Sequence, residues 1–345
     1  MRTSHLSRKR PGFFARGFSE HAFAPFVRTL GRGKRARRGL TRQEAAEAMG
    51  HILQGEVTQA QLGAFLMLLR VKEETPEELA GFLDACRPVC SHYLIGLPKA
   101  DVDWPSYAGK KKHHPWYLLA ARLLARNGVR VFMHGGPAHT PERHYTDESL
   151  RKLGFKLPRT VAEAGEQLHD EGFTYLGVEQ FCPPLSTLLM LRFQLGLRSP
   201  INTLSRNLNP AQAALSLQSV FHPAYLNLHL EASRLCGDRN LLLFKGEGGE
   251  VEIRPDARTS IGGLRAGEPV EAVLEAALPR QTPPGTVSTD HLRAVWRGEE
   301  SDVYGEAAVR QTVATTLWGL GKAKDLEAAT KAAQTLWTER KRDAL

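Results

Sequence analysis

The spacing of apolar side chains divides the chain into two kinds of segment. Thr41, followed three residues later by Glu44, forms a capping box that predicts a helix over 41–50. Thr58 opens a second helix, in which Leu62, Phe65, Leu66 and Leu69 fall at i, i+3, i+4 and i+7 and so share one face. Thr75 with Glu78 repeats the box, and Leu79, Phe82, Leu83 and Cys86 continue the apolar stripe. These segments predict a small helical domain. From Ala100 onward the pattern changes. Short apolar runs over 129–133, 215–220 and 241–244 alternate with helical stretches over 116–127, 160–171 and 223–236, which predicts an α/β sheet with helices on its faces. Further amphipathic stretches over 288–297, 306–320 and 325–342 read as helices. There is no internal repeat and no long low-complexity segment.

A length of 345 residues exceeds the usual single core and predicts two domains, or one large domain with an appendage. With 42% hydrophobic and 24% charged residues the composition is that of an ordinary globular protein. No apolar run approaches the roughly 18 residues of a membrane span. Four scattered cysteines, Cys86, Cys90, Cys182 and Cys236, do not make a disulfide framework; they read as buried free thiols in a reducing, cytoplasmic compartment. Charge is unevenly placed. Residues 1–42 hold twelve Lys or Arg and a single acid, Glu20, whereas the rest of the chain carries 34 basic and 36 acidic residues. Such a block serves either as a nucleic-acid-binding arm, whose cations release condensed counterions on meeting phosphates, or as a solvated tail. Arg16, Glu20, His21 and Pro25 interrupt the phenylalanines that a secretory signal would need in one run; an organelle transit peptide is a further reading of the Arg-rich start.

The helical segment from Leu40 to Pro88, with Gly55-Glu56-Val57, Gln61 to Leu66 and Glu78 to Phe82, resembles the N-terminal domain of anthranilate phosphoribosyltransferases and nucleoside phosphorylases, glycosyltransferase family 3. The resemblance continues in order through His134-Gly135, Arg192 to Arg198, Asn202, Asn209-Pro210 and Gly246 to Gly249, covering roughly residues 23–345. It implies a small N-terminal helical bundle hinged to a larger α/β domain with a central mixed sheet. The corresponding division is a basic arm over 1–22, a helical domain over 23–98 with a helix near 183–197 packing on it, and an α/β domain over 99–345. Phosphoribosyl pyrophosphate binds between the two domains in that family.

Several of the family's landmarks are replaced. Its Gly-Thr-Gly-Gly-Asp loop, whose glycines let backbone N–H groups approach a pyrophosphate, reads Trp104-Pro105-Ser106-Tyr107-Ala108-Gly109 here. Its Lys-His-Gly-Asn-Arg becomes Met133-His134-Gly135-Gly136-Pro137, and in its magnesium-binding Asp-Glu pair the Asp aligns with Val251, so that only Glu252 remains. A basic cluster, Lys110-Lys111-Lys112-His113-His114, follows the altered loop. Together with Gly31-Arg32-Gly33-Lys34, Pro141-Glu142-Arg143, Phe181 to Leu185 and Glu247 to Val251, it resembles the YbiB-type paralogues of anthranilate phosphoribosyltransferase. That resemblance implies a homodimer that binds DNA or RNA, single- or double-stranded, with little sequence preference and without the parent activity or any cofactor. The enzyme alternative is phosphoribosyl or other pentosyl transfer from phosphoribosyl pyrophosphate to an aromatic acceptor, and only that reading calls for Mg²⁺. A protein-interaction scaffold is a third reading.

Candidate phosphate contacts are Lys110, Lys111, Lys112, His113, His114, Arg143, Arg192, Arg198, Asn202, Arg206, Lys34 and Arg35. Against this stand plainer readings: a solvated lysine loop, and arginines that only bridge domains. Trp104, Tyr107, Trp116 and Tyr117 either stack on bases or belong to the core, Tyr117 to the core. His134, His139 and His144 lack the spacing of a metal site, Cys86 and Cys90 have no second pair for zinc, and Ser186 and Ser205 lack the context of a nucleophile, so no catalytic residue and no metal ligand is assigned.

Overall fold

A computed structural model of the chain describes residues 20–33, 35–343 and 345. The expected arm over 1–22 therefore falls almost wholly outside the described residues, as does Lys34. Four helices open the fold: α1 (Ala24–Gly31), α2 (Arg42–Leu53), α3 (Gln59–Lys72) and α4 (Pro76–Tyr93). Helices α2, α3 and α4 each begin with a complete capping box, on Thr41/Glu44, Thr58/Gln61 and Thr75/Glu78; such a Thr cap contributes about 1 kcal/mol. Glu78 does more than cap. Its buried carboxylate accepts the N–H of Thr75 at 2.9 Å, the N–H of Leu40 at 2.8 Å and the Lys72 ammonium at 2.8 Å, tying the start of α4 to the entry into α2. Gly81 lets α2 and α4 touch, since a Cβ there would lie 2.2 Å from the Arg42 carbonyl oxygen.

The second body is built on seven strands: β1 (Val102–Ser106), β2 (Val131–Gly135), β3 (Phe173–Gly177), β4 (Leu215–Val220), β5 (Leu241–Lys245), β6 (Thr259–Arg265) and β7 (Glu268–Leu274). They are ordered β3-β2-β1-β4-β5-β6-β7, parallel through β5 and antiparallel from β5 to β7, so the sheet is mixed as the resemblance implied. The helices between and after the strands are α5 (Tyr117–Arg126), α6 (Thr146–Lys152), α7 (Val161–Asp170), α8 (Val178–Phe181), α9 (Pro183–Met190), α10 (Arg192–Leu195), α11 (Ile201–Leu204), α12 (Tyr225–Leu235), α13 (Thr289–Arg297), α14 (Val303–Gly319) and α15 (Leu326–Thr338). No described helix is long and apolar enough to cross a membrane.

A small cluster of Leu241, Leu243 and Leu264 and two large apolar cores form among the described residues. One joins β1, β2, β4 and β5 to α5, α13, α14 and α15 around Trp104, Trp116, Trp296 and Phe244. The other joins Phe65, Phe82 and Leu83 of the helical domain to Phe132, Phe181, Leu185, Leu188 and Leu204. The segment around α9 and α11 thus packs with the N-terminal helices. Polar ties reinforce the contact. Arg87 of α4 forks onto Asp238 at 2.7 and 2.8 Å and donates to the carbonyls of Asn207 and Leu208, while Arg70 of α3 donates to the Tyr225 hydroxyl at 2.9 Å. Cys86, Cys90 and Cys182 are buried and Cys236 half-buried, all as free thiols.

Candidate functional site

The strand order reverses between β1 and β4, and in open parallel sheets ligands settle at the carboxyl ends of the strands beside such a reversal. Four loops meet there: 107–114 after β1, 136–145 after β2, 221–224 after β4 and 246–250 after β5. The 107–114 loop stands where the resemblance places a phosphate loop, and the N–H groups of Ala108, Gly109 and Lys110 are occupied by the chain itself. Gly109 adopts φ +69°, a left-handed conformation that favours glycine, and its N–H and that of Ala108 both point to Glu250 Oε1, at 2.6 and 2.7 Å. Ser106 Oγ donates to the other carboxylate oxygen at 2.7 Å. Burial pushes the Glu250 carboxyl above its usual range, and these three donors oppose the shift. An internal carboxylate therefore fills the cradle.

Lys110 changes the picture drawn from the sequence. It is not a solvent-facing member of a basic run but a fully buried ammonium, paired with Glu252 at 2.6 Å and with Glu247. Burial disfavours its charge, but Glu252 and Glu247 outweigh burial and hold it protonated. Glu252 also accepts the N–H of Tyr117, at the start of α5, at 2.8 Å; burial pushes its carboxyl up to about 7. His113 stacks on Tyr304 with ring centroids 4.4 Å apart, and His114 is buried, accepting the Ser288 N–H at 2.9 Å. Neither reaches the surface as a contact. Lys111 is exposed and paired with Glu142 at 3.0 Å, while Lys112 and Arg35 are exposed. The run is split into buried ends and an exposed middle, and three acids distant in sequence, Glu142, Glu247 and Glu252, pair with its lysines. Trp104, Tyr107, Trp116 and Tyr117 are all core, which removes them as stacking surfaces.

What the structure does bring together is a set of arginines. Arg143 donates to the carbonyls of Ala108 and Gly109, both at 2.9 Å. Arg192 donates to Nδ1 of His139, whose Nε2–H donates to the Tyr107 carbonyl at 3.0 Å. Burial, with Arg192, Arg198 and Arg206 nearby, lowers the His139 pKa to about 4, so the ring is neutral. Arg206 donates to the Asn202 carbonyl at 2.6 Å. Arg198 forms no hydrogen bond or ion pair among the described residues. Burial and then the neighbouring charges of Arg206, Arg192 and Arg143 lower its pKa to about 10, and burial likewise lowers that of Arg206. Every acceptor that positions these guanidinium groups is a carbonyl or a neutral imidazole, and none of the four forms an ion pair among the described residues. Arg198, Arg206 and Arg70 line a cavity of about 210 Å³ with Asn202, Phe221 and Tyr225.

The metal-binding residues of the family are not reproduced. Glu252 is engaged by Lys110 and by the Tyr117 N–H, Glu250 by the loop, and Val251 between them is apolar, a donor set that does not fit the octahedron of oxygens Mg²⁺ requires. His114, His291 and Asp302 lie within 4.8 Å of one another. His291, however, bridges Glu300 at 2.6 Å and Asp302 at 2.9 Å, and these carboxylates overcome burial to raise its pKa, so its ring nitrogens are already engaged. His134, another histidine of the sequence reading, is buried between Tyr107 and Asp103. Sequence reasoning missed Glu250 and Arg70 as parts of this region; nothing in one sequence marks a carboxylate as a stand-in for a phosphate.

Known proteins sharpen this assignment. Residues 25–89 match the helical bundle domain and residues 117–339 the a/b domain of the glycosyl transferase family. The chain is 32% identical to the uncharacterized protein YbiB of Escherichia coli K12, over 68% of this chain and 73% of that one. It is 28% identical to the anthranilate phosphoribosyltransferase of Chromobacterium violaceum, over 67% and 68%. Among solved structures, the anthranilate phosphoribosyltransferase TrpD of Thermus thermophilus superimposes with a TM-score of 0.76 at 24% identity, over 92% of this chain and 94% of that one. The Saccharomyces cerevisiae enzyme in complex with PRPP and Mg gives 0.72 at 17% identity, over 93% and 94%. The chain belongs to the glycosyl transferase family, as an anthranilate phosphoribosyltransferase-like protein close to YbiB.

Proposed function

We propose that this protein binds nucleic acid with little sequence preference, through phosphate contacts in the cleft between its two bodies, and does not transfer phosphoribosyl groups. The observation that carries the reading is the set of Arg143, Arg192, Arg198 and Arg206, held by neutral acceptors and without a carboxylate partner among the described residues. Arg198 is repelled by the neighbouring guanidinium groups of Arg206, Arg192 and Arg143, while Arg206 feels the more distant Glu250, and an anion of repeating charge relieves the repulsion on Arg198. Guanidinium forks match phosphate oxygens, and phosphate contacts position a strand without reading its bases. Against transfer chemistry stand the loop donors already occupied by Glu250 and the buried pairing of Glu252 with Lys110. With Mg²⁺, phosphoribosyl pyrophosphate and anthranilate, product formation is expected to stay at background, while unrelated oligonucleotides bind with similar affinity. Turnover that is lost on Glu252→Gln would favour the transferase instead.

We propose, too, that two copies pair through the helical layer. Val71, Met190, Phe193 and Leu197 leave apolar surface exposed on α3 and around α9 and α10, Val71 at 78% and Phe193 at 60%. Pairing would place two arginine clefts on one particle and raise apparent affinity through effective concentration. Sedimentation at micromolar concentration should give twice the 38.2 kDa chain mass, and Phe193→Glu should shift it to a single chain. A single-chain mass for the unaltered protein would contradict the pairing.

A further inference from the structure

Phe221 stands at the tip of β4, where the chain leaves the sheet, and its ring is 51% exposed. It belongs to none of the apolar cores. The Gly248-Gly249 turn backs it, with the Cβ position of Gly249 3.4 Å from Phe221 Cβ, and His222 meets it edge-on with centroids 4.8 Å apart. It also lines the cavity that contains Arg70, Arg198 and Arg206. A large aromatic ring held open beside guanidinium groups that form no ion pair among the described residues is the pairing that single strands require, a surface for a base face next to anchors for the flanking phosphates. A duplex keeps its base faces stacked inside and offers none of them to the ring.

We infer that the nucleic acid taken by this cleft is single-stranded, with Phe221 as the platform on which one base stacks. This rests on the nucleic-acid reading above. The arginines then supply salt-dependent affinity for any strand, and Phe221 supplies an increment that depends on an unpaired base being present but not on which base it is.

The test compares three probes on the full chain at one salt concentration: a single strand of about 20 nucleotides, the duplex of the same sequence, and a strand of equal length and charge lacking bases at its central positions. The base-bearing strand should bind at least about fivefold tighter than the abasic strand, the lower end of base stacking on an aromatic side chain, and tighter than the duplex. Phe221→Ala should erase the difference between the two strands while leaving abasic binding unchanged, and Phe221→Trp should keep it. Equal binding of the two strands by the unaltered protein, a preference for duplex, or an equal loss on both strands in Phe221→Ala would overturn the assignment while leaving phosphate-driven binding in place. Failure of all three probes to bind would remove the nucleic-acid reading together with it.

Discussion

Replacing Arg198 and Arg206 together by alanine is expected to weaken oligonucleotide binding by about 100-fold near physiological salt, with every sequence affected alike. Each guanidinium is taken to contribute one charge-assisted contact of about 1.5 kcal/mol, the low end of the range for such bonds. The plot of log affinity against log salt should flatten by about 1.4 for a single strand, since each lost phosphate contact removes about 0.7. A variant with lysine at both positions should keep the slope but lose part of the affinity, because lysine preserves the charge and not the planar fork. Fold integrity should survive, as among the described residues neither arginine is in an ion pair and the bond lost is that of Arg206 to the Asn202 carbonyl. Alanine at Lys111 and Lys112, by contrast, should change affinity little, since one already sits against Glu142. Salt-independent weakening, or no weakening, in the arginine variant would remove the cleft as the site.

The second large effect concerns stability. Lys110→Met removes a fully buried cation and leaves buried Glu252 and largely buried Glu247 facing each other, which is expected to cost about 3 to 5 kcal/mol in denaturant unfolding. The cost should depend on pH. Without Lys110, Glu252 is held even further above the ordinary carboxylate range than the value of about 7 to which burial already pushes it. The folded variant then binds a proton that the unfolded chain releases near pH 4.5, so its stability falls as pH rises through that interval. Unfolding measured at pH 5 and pH 8 should show the larger deficit at pH 8. Adding Glu252→Gln should recover part of the loss. A deficit below 1 kcal/mol at pH 8 would mean that the cluster is hydrated in solution.

The difference between Lys110 and Arg198 shows how far the sequence could be read. Capping boxes are local, so Thr41/Glu44 and Thr75/Glu78 were legible and form as expected. The strand Val102–Ser106 was not, because Asp103 and Pro105 break a β pattern; the ladder to β4 ends at Asp103, before Pro105, whose ring nitrogen has no hydrogen to donate. The β6–β7 hairpin was missed as well. It turns on Ala266 and Gly267, both at positive φ, and an alanine there gives no turn signal. Arg192 and Arg198 were legible as candidates because their segment resembles the family, and Arg206 because it departs from the family pattern near the same cleft. Lys110 was misplaced because a run of lysines signals a surface, and the acids that bury it lie more than 130 residues later. Phe221 escaped notice for the opposite reason: an aromatic residue at the end of an apolar run looks like core, and only its exposure says otherwise.

The most direct measurement of where nucleic acid lies is photo-crosslinking of a single strand bearing reactive bases to the full chain, followed by mass spectrometric mapping of the adducts. Adducts are expected on peptides spanning 198–206 and 219–227, competed away by unlabelled strand and reduced by added salt. Adducts confined to residues 1–42 would contradict this, assigning binding to the basic N-terminal segment and leaving the arginine cleft without a strand.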